Sequence, residues 1–244
     1  MKIINSHVHI GPSTALLMDV KSEDVRREMT EAGISGCLVF PFPSWAVENP
    51  DVNSWIIEVC ERERSFYPVF YARNDLKPPE TDRYVAVKWH WVKGVSDSAS
   101  NYRVFDDEML EDFVDSVDRL GIPVIFEEEF EFTKIFAERF DRIILIIPHL
   151  GALGGSPLKF LGEFESYDNI YFDTSLSSVS TLQRFVEVIG ADRIIFGSDL
   201  PFSTMSIELE KIMRLEIDKR ETEKILHRNI ERLCRLRSQR HAKS

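Results

Sequence analysis

Two histidines stand close together near the start of the chain, in the run His7-Val8-His9. In an extended strand, side chains two residues apart point to the same face, so both imidazoles could bind one cation. Imidazole is a common neutral ligand of zinc and related divalent metals. The pair therefore predicts a metal site, although two surface histidines at a strand end would show the same spacing.

A third histidine and a carboxylate follow two later apolar runs. His149 comes after residues 143–147, and Asp199 comes after residues 194–198. Taken singly, His149 could be a hydrogen-bonded, partly buried histidine or an N-cap, and Asp199 could cap the following helix. Their occurrence together with the paired histidines favours one shared site.

Lys88 and His90 alternate along another apolar segment, so period two places them on one face as well. A lysine on an interior strand face is costly unless it is paired or contacts an anion. We therefore predict that both residues bind substrate. The alternative is a lysine whose ammonium reaches solvent beside a histidine that ends the strand. Arg73 is a further substrate-binding candidate on position alone.

The segments that carry these residues are short and apolar, and longer stretches with helical periodicity separate them. This alternation is typical of a parallel sheet with crossover helices. Strands are predicted at residues 2–9, 36–41, 67–71, 84–90, 123–127, 142–149, 170–173 and 193–197. Eight is the strand number of a (β/α)8 TIM barrel, in which the carboxyl ends of the strands form the active-site mouth. The fold class is therefore predicted to be α/β, as a single barrel of this kind.

Helices are predicted at residues 25–32, 52–64, 109–120, 132–140, 158–166, 181–189, 207–215 and 222–236. The third crossover has room for little more than a turn, because it contains two adjacent prolines at 78–79, so a degenerate helix is expected there. The extra C-terminal helix should pack across the outside of the barrel. One domain is predicted for residues 1–236, with a polar loop at 96–101 and a basic tail at 237–244.

Composition narrows the choice of partners. The chain has a formal net charge of -11 and a pI near 5.1, and this charge repels phosphate backbones and anionic lipids. No run approaches a membrane span, and the first residues do not resemble an export leader. Three widely spaced cysteines predict neither disulfides nor a cysteine metal site. We expect a cytoplasmic protein that binds a small molecule, neither nucleic acid nor membrane, and the sequence leaves a homo-oligomer open.

Several ordered fragments resemble the amidohydrolase-related group of the amidohydrolase superfamily, which includes aminocarboxymuconate-semialdehyde decarboxylase. Residues 4–9 are similar to its opening D-x-H-x-H strand, with Asn5 where aspartate is common. Residues 87–90 resemble its V-K-L-H strand, and His149-Leu150-Gly151 resembles its H-x-G segment. Further similarity lies at residues 120–124, 172–175, 196–201 and 225–233. The resemblance covers nearly the whole chain and implies a metal-dependent TIM-barrel enzyme.

The resemblance implies metal ligands at His7, His9 and Asp199, and it gives His149 a catalytic role beside the metal. The implied cofactor is one divalent ion, with zinc first and manganese second. It would lower the pKa of a bound water to about 7 for attack on a carbonyl carbon. His149 would stabilise the oxyanion or move a proton, and Asp199 would be catalytic as acceptor of the water's proton.

The resemblance also exposes a departure at the fifth predicted strand. The family normally has a metal-binding histidine there, and the register from residues 121–123 puts Glu127 in its place. A carboxylate can bind zinc or manganese, so Glu127 is the fourth predicted ligand. A register slip would make Glu129 the ligand instead, because it lies on the same face. A solvated acidic loop is the remaining alternative.

These assignments predict a hydrolase acting on a C–N, ester or lactone carbonyl of a small molecule. A nonoxidative decarboxylase of a small unsaturated or aromatic acid could use the same site. An inactive barrel with a binding role is the third interpretation, which the missing fifth-strand histidine keeps open.

Overall fold

The computed structural model describes residues 1–94 and 99–236. The predicted loop at 96–101 is therefore described only from residue 99, and the predicted basic tail at 237–244 lies outside the described residues.

One sheet organises the described chain. Its strands are β1 (Ile4–Ser13), β2 (Met18–Val20), β3 (Gly36–Pro41), β4 (Phe66–Tyr71), β5 (Ala86–His90), β6 (Val124–Glu127), β7 (Leu145–Ile147), β8 (Ile170–Asp173) and β9 (Ile194–Ile195). Neighbours pair in the order β2-β1-β3-β4-β5-β6-β7-β8-β9, and every pair is parallel except β1 with β2.

Helices connect most of the parallel strands. They are α1 (Ser22–Ala32), α2 (Pro43–Glu48), α3 (Val52–Arg62), α4 (Met109–Leu120), α5 (Phe130–Arg139), α6 (Pro157–Phe164), α7 (Val179–Ile189), α8 (Met205–Met213), α9 (Lys219–Glu223) and α10 (Asn229–Leu233). A π-helical turn at Lys224–Arg228 joins the last two. Short 3-10 turns lie at Tyr102–Asp106, Pro148–Gly151 and Ala191–Arg193. The third crossover, between β4 and β5, contains no helix at all, where the prolines had predicted a degenerate one.

The sheet curls so that its first and last parallel strands approach each other. The amide of Ser6 donates to Phe196 O, and the amide of His9 donates to Leu200 O, both at 2.9 Å. The amide of Asp199 donates in return to His7 O at 2.9 Å. The predicted α/β class is therefore confirmed as a mixed fold with one curled sheet. The complete eight-stranded barrel stays a prediction at this point.

The inner face of the sheet holds one apolar cluster, to which each of the eight parallel strands contributes. Its strand members include Ile4, Leu38, Val69, Ala86, Ile125, Ile146, Tyr171 and Ile195. Ile230 and Leu233 of α10 belong to the same cluster, so the C-terminal helix packs against the inner-face residues. The prediction that it lies across the outside was wrong in this respect. Helical periodicity shows that a face is apolar but not which surface covers it.

Strand ends are where prediction and structure differ most. The predicted strand at 142–149 ends at Ile147, because His149 and Leu150 have φ of 57° and 53° and leave the extended conformation. The last strand is likewise only two residues long. The β1–β2 hairpin and α2 were not predicted; they form at the carboxyl ends of β1 and β3.

Candidate active site

A kink in β1 sets the positions of the two N-terminal histidines. The register between β1 and β3 shifts between Asn5 and Val8. Asn5 Oδ1 accepts hydrogen bonds from the amides of His7 (3.1 Å) and Ser198 (3.0 Å), and Asn5 Nδ2 donates to Ser198 Oγ at 2.6 Å. Asn5 therefore fastens the kinked strand to the segment that carries Asp199.

Three ligand atoms of the predicted site converge. His7 Nε2 and His9 Nε2 each lie 3.2 Å from Asp199 Oδ1, and all three side chains are buried. They also form a group whose ligand atoms all lie within 4.8 Å of one another, the spacing that allows one metal ion to be shared. Among the described residues, neither His7 Nε2 nor Asp199 Oδ1 has a hydrogen-bond partner. A buried pair of polar atoms without hydrogen bonds is rare and calls for an ion or a water.

The contact at the other ring nitrogen of His7 indicates which tautomer the ring adopts. His7 Nδ1 lies 3.2 Å from Asp173 Oδ2, which favours the tautomer with its proton on Nδ1. The lone pair on Nε2 then faces the Asp199 carboxylate, and two electron-rich atoms this close repel each other. A cation between them removes the repulsion, so these residues fit a divalent ion.

A second group shares His7 and includes Glu127 and His149. Glu127 Oε2 accepts a hydrogen bond from Lys88 Nζ at 2.5 Å and lies 3.0 Å from His90 Nδ1. Glu127 Oε1 faces inward, 3.9 Å from His149 Nε2. The four predicted metal ligands thus fall into two overlapping groups, with Glu127 on the His149 side. The solvated-loop alternative for this carboxylate was wrong, because Glu127 is buried.

Two residues that the sequence did not assign to the site, Ser175 and Asp173, fix the ring of His149 through its Nδ1 atom. Ser175 Oγ lies 2.9 Å from His149 Nδ1 and donates its own proton to Asp173 Oδ1. The ring must then donate from Nδ1, which leaves a lone pair on Nε2. His149 Nε2 also lies 3.9 Å from Asp199 Oδ2. Asp173 is the last residue of a buried strand, much as Asp199 follows one. A carboxylate at the end of an apolar run is therefore the sequence pattern that could have predicted Asp173 as a site residue.

Burial sets the charge states of the site. It lowers the pKa of His9 to about 4, more than Asp199 can raise it, and it also lowers the pKa of His149. Burial alone would raise the pKa of Glu127 and Asp199. Attraction to the basic groups beside them, His90 and Lys88 for Glu127 and His7 for Asp199, instead holds these pKa values below their ordinary range. Neutral imidazoles and ionised carboxylates are the forms that bind metals.

The site opens into a cavity of about 400 Å³. Five of the predicted residues form its floor: His9, His90, Glu127, His149 and Asp199. His7 lies beneath them, fully buried.

The other predicted residues do not line this cavity. Lys88 is completely buried behind Glu127. Arg73 lines a separate cavity, where its guanidinium donates to the carbonyl oxygens of Ala46 and Asn49. Glu129 immediately precedes α5 and accepts from the amide of Ser100 at 3.1 Å, so of the two glutamates it is Glu127 that reaches the centre.

Comparison with known proteins identifies the family. Residues 85–236 match the Amidohydro_2 family, whose description is Amidohydrolase. This is more than half of the chain, and the chain therefore belongs to that family. No curated protein sequence matches the chain. Within the residues described, no helix is both long enough and apolar enough to cross a bilayer.

Solved structures share the fold at low identity. An amidohydrolase from Burkholderia multivorans with bound zinc has a TM-score of 0.78 and 13% identity, covering 97% of this chain and 100% of that chain. A dihydroxybenzoic acid decarboxylase from Polaromonas sp. JS666 with bound manganese and 2-nitroresorcinol has a TM-score of 0.70 and 17% identity. The match covers 97% of this chain and 98% of that chain. A 5-carboxyvanillate decarboxylase from Sphingomonas paucimobilis has a TM-score of 0.69 and 13% identity, and the match covers 96% of this chain and 99% of that chain.

Proposed function

We propose that this chain is a metal-dependent hydrolase that cleaves an ester, lactone or C–N bond at the carbonyl of a small molecule. The observation that carries the proposal is the meeting of His7 Nε2, His9 Nε2 and Asp199 Oδ1, where neither His7 Nε2 nor Asp199 Oδ1 has a hydrogen-bond partner among the described residues. These three residues bind one divalent ion, zinc or manganese, and Glu127 is the carboxylate beside it. When bound, such an ion supplies a nucleophilic water at neutral pH and polarises a carbonyl oxygen.

The chain's own residues handle the protons. His149 presents an unprotonated Nε2 to the cavity, because Ser175 and Asp173 hold its proton at Nδ1. It can therefore take a proton during attack and return it to the leaving group. Asp199 Oδ2, 3.9 Å from His149 Nε2, is the second proton acceptor. His90 contacts substrate from the cavity floor, and Lys88 positions Glu127.

The fold that supports this chemistry is proposed to be a complete (β/α)8 barrel. The hydrogen bonds from β1 to residues 196–200 support closure, as does the inner-face cluster to which all eight parallel strands contribute. The functional residues then stand at the carboxyl ends of the strands, where barrels of this kind place their active sites.

Elemental analysis tests the proposal. Purified protein is expected to carry about one zinc or manganese ion per chain, the stoichiometry of a mononuclear catalytic site. His7→Ala is expected to abolish that metal, whereas Cys60→Ala, outside the site, leaves it. Absence of metal from the unaltered protein, with hydrolysis indifferent to chelators, would overturn the proposal. Unchanged metal content and thermal stability in His7→Ala would favour the inactive barrel.

A nonoxidative decarboxylase is the second candidate. The structural similarity to dihydroxybenzoate and carboxyvanillate decarboxylases supports it, together with the aromatic side chains beside the site. The two reactions give different products, so incubation with dihydroxybenzoic acids and assay of released carbon dioxide separates them. Metal-dependent release of carbon dioxide, without hydrolysis of any ester or lactone, would replace the first proposal by the second.

A further inference from the structure

The wall of the active-site cavity is almost entirely apolar. Above the floor it is formed by side chains that include Leu16, Phe42, Leu153, Leu176 and Phe202. No lysine or arginine lines it among the described residues. These wall residues can therefore desolvate a hydrocarbon or aryl group, but they offer no cation to pair with a buried anion.

The two hydroxyls in the wall are already engaged by the β1–β2 hairpin. Ser13 Oγ accepts from the amide of Leu16 at 3.2 Å, and Ser44 Oγ accepts from the amide of Ala15 at 3.4 Å. The two oxygens also lie 3.4 Å from each other. They hold the hairpin over the cavity, and one of the two hydroxyl protons is used in the contact between them.

The charges at the floor balance once a divalent ion is bound. Three carboxylates lie at the floor or directly beneath it: Glu127 and Asp199 line the cavity, and Asp173 contacts His7 below them. The ammonium of Lys88 and one divalent ion supply three positive charges, and an imidazole that binds a metal ion adds none. These groups leave no surplus positive charge, and the whole chain, at a formal charge of -11, repels anions as well.

From this wall and this charge balance we infer that the substrate is an electrically neutral ester, lactone or amide with an apolar aryl or alkyl group. Anionic analogues are selected against. The inference rests on the proposed hydrolysis for its reaction, but it concerns which molecules the cavity admits. Phe42 and Phe202 contact the ring of His9, at centroid distances of 4.9 and 5.7 Å, and so place the apolar group next to the reacting carbonyl.

A matched pair of esters tests the selectivity. The zinc-loaded protein is assayed with para-nitrophenyl butyrate and with the anionic para-nitrophenyl sulfopropionate, which share one leaving group. A sulfonate coordinates metals weakly, so its charge reports on the wall. We expect kcat/KM for the neutral ester to be at least about tenfold higher, because a buried charge without a partner is costly. Equal rates, or faster hydrolysis of the anion, would overturn the inference.

Two lysine variants locate the selectivity in the wall. Leu153 and Leu158 are 55% and 61% exposed, and only Leu153 lines the cavity. Leu153→Lys should reduce the neutral-to-anionic ratio of kcat/KM at least about fivefold, since it adds the missing cation. Leu158→Lys, with the same change of net charge, should leave the ratio within about twofold. An equal shift in both variants would show that overall charge, not the wall, sets the preference.

A binding measurement separates this inference from the hydrolytic proposal. Calorimetry with the non-hydrolysable ketone propiophenone and its ω-sulfonate measures admission to the cavity without any reaction. Tighter binding of the ketone, with no ester hydrolysed, would contradict hydrolysis and retain the neutral ligand class. Tighter binding of the sulfonate would contradict the ligand class even if esters were hydrolysed.

Discussion

At the scale of single residues, the site depends on where imidazole protons are held. Asp173 accepts at one oxygen from the His7 side and at the other from Ser175, which in turn contacts His149. One buried carboxylate thus directs the Nε2 lone pairs of two histidines toward the cavity. Outer partners of this kind fix the tautomer and orientation of metal-binding histidines.

Replacement of His9 tests the metal assignment. His9→Asn should weaken zinc binding by more than the roughly 100-fold that loss of an outer partner costs, because it removes a ligand itself. His227→Asn is the matched control, since His227 pairs with Glu231 in a helix away from the cavity. Competition with a chromogenic chelator measures both affinities. Equal zinc affinity in the two variants would contradict the assignment.

Ser175 offers a test of proton handling that leaves the ligands in place. Ser175→Ala removes the partner of His149 Nδ1, and kcat should fall by about tenfold, at the low end for an outer-partner deletion. Metal content should stay at the unaltered level. Ser177→Ala, whose hydroxyl donates to Thr174 O at 2.6 Å, is the control and should retain kcat. Loss of metal in Ser175→Ala would show a structural role instead.

The lowered pKa of His9 predicts a pH dependence of the metal-free protein. Its pKa falls from 6.5 to about 4 on folding, so between these values the unfolded chain binds more protons than the folded one. The free energy of unfolding should therefore decrease as the pH falls from about 6.5 to about 4, by up to ~3 kcal/mol. Urea titrations of chelator-treated protein measure this free energy at each pH. His9→Asn should show a shallower dependence on pH. An identical dependence would contradict the attribution of the effect to His9.

At the scale of elements, the sequence could predict which segments are strands but not how each one ends. The apolar runs identified all eight parallel strands, and the polar residues after them pointed to the mouth. His149 and Asp199 both have φ of 57°, a left-handed conformation that side-chain periodicity does not encode. The pairing of Ser175 with His149 escaped prediction for the same reason, because it depends on two loop conformations.

The hydrogen bonds of the C-terminal helix to the sheet are a second feature that the sequence did not predict. Its π-helical turn directs Ile225 O toward the sheet, where it accepts from the amide of Phe196 at 3.0 Å. Asn229 Nδ2 donates to the carbonyl oxygens of Ala191 and Ile194, both at 2.8 Å. The helix therefore supports the short last strand that precedes Asp199. Sequence periodicity predicted the helix, but its hydrogen bonds to the sheet depend on tertiary contact.

Two glycines, one beside the active site and one exposed in α6, give opposite predictions for the same substitution. Gly151 follows His149 with φ of +85°, and a Cβ there would lie 2.4 Å from Phe160 Cδ2. Gly151→Ala should lower the free energy of unfolding by about 2 kcal/mol or more. Gly162 lies within α6 with open space around it, so Gly162→Ala should raise that free energy by ~0.5–1 kcal/mol. Denaturant titrations compare them, and equal effects would contradict the packing at residue 151.

At the scale of the whole molecule, the fold concentrates its buried charge at one end of the sheet. The opposite part of the inner face is filled by apolar side chains and covered by α10. Buried carboxylates and imidazoles weaken a core unless they are paired or bind a cation. The metal ion is therefore expected to contribute to folding as well as to catalysis, and the family membership of residues 85–236 agrees with a site used for chemistry.

We expect one divalent ion to bind where His7, His9 and Asp199 meet. Anomalous diffraction at the zinc edge, on crystals of zinc-loaded protein, locates that ion. The map should show a single strong peak about 2.0–2.3 Å from His7 Nε2, His9 Nε2 and Asp199 Oδ1. A map with no peak there, or with zinc held only by residues outside the cavity, would contradict this metal site.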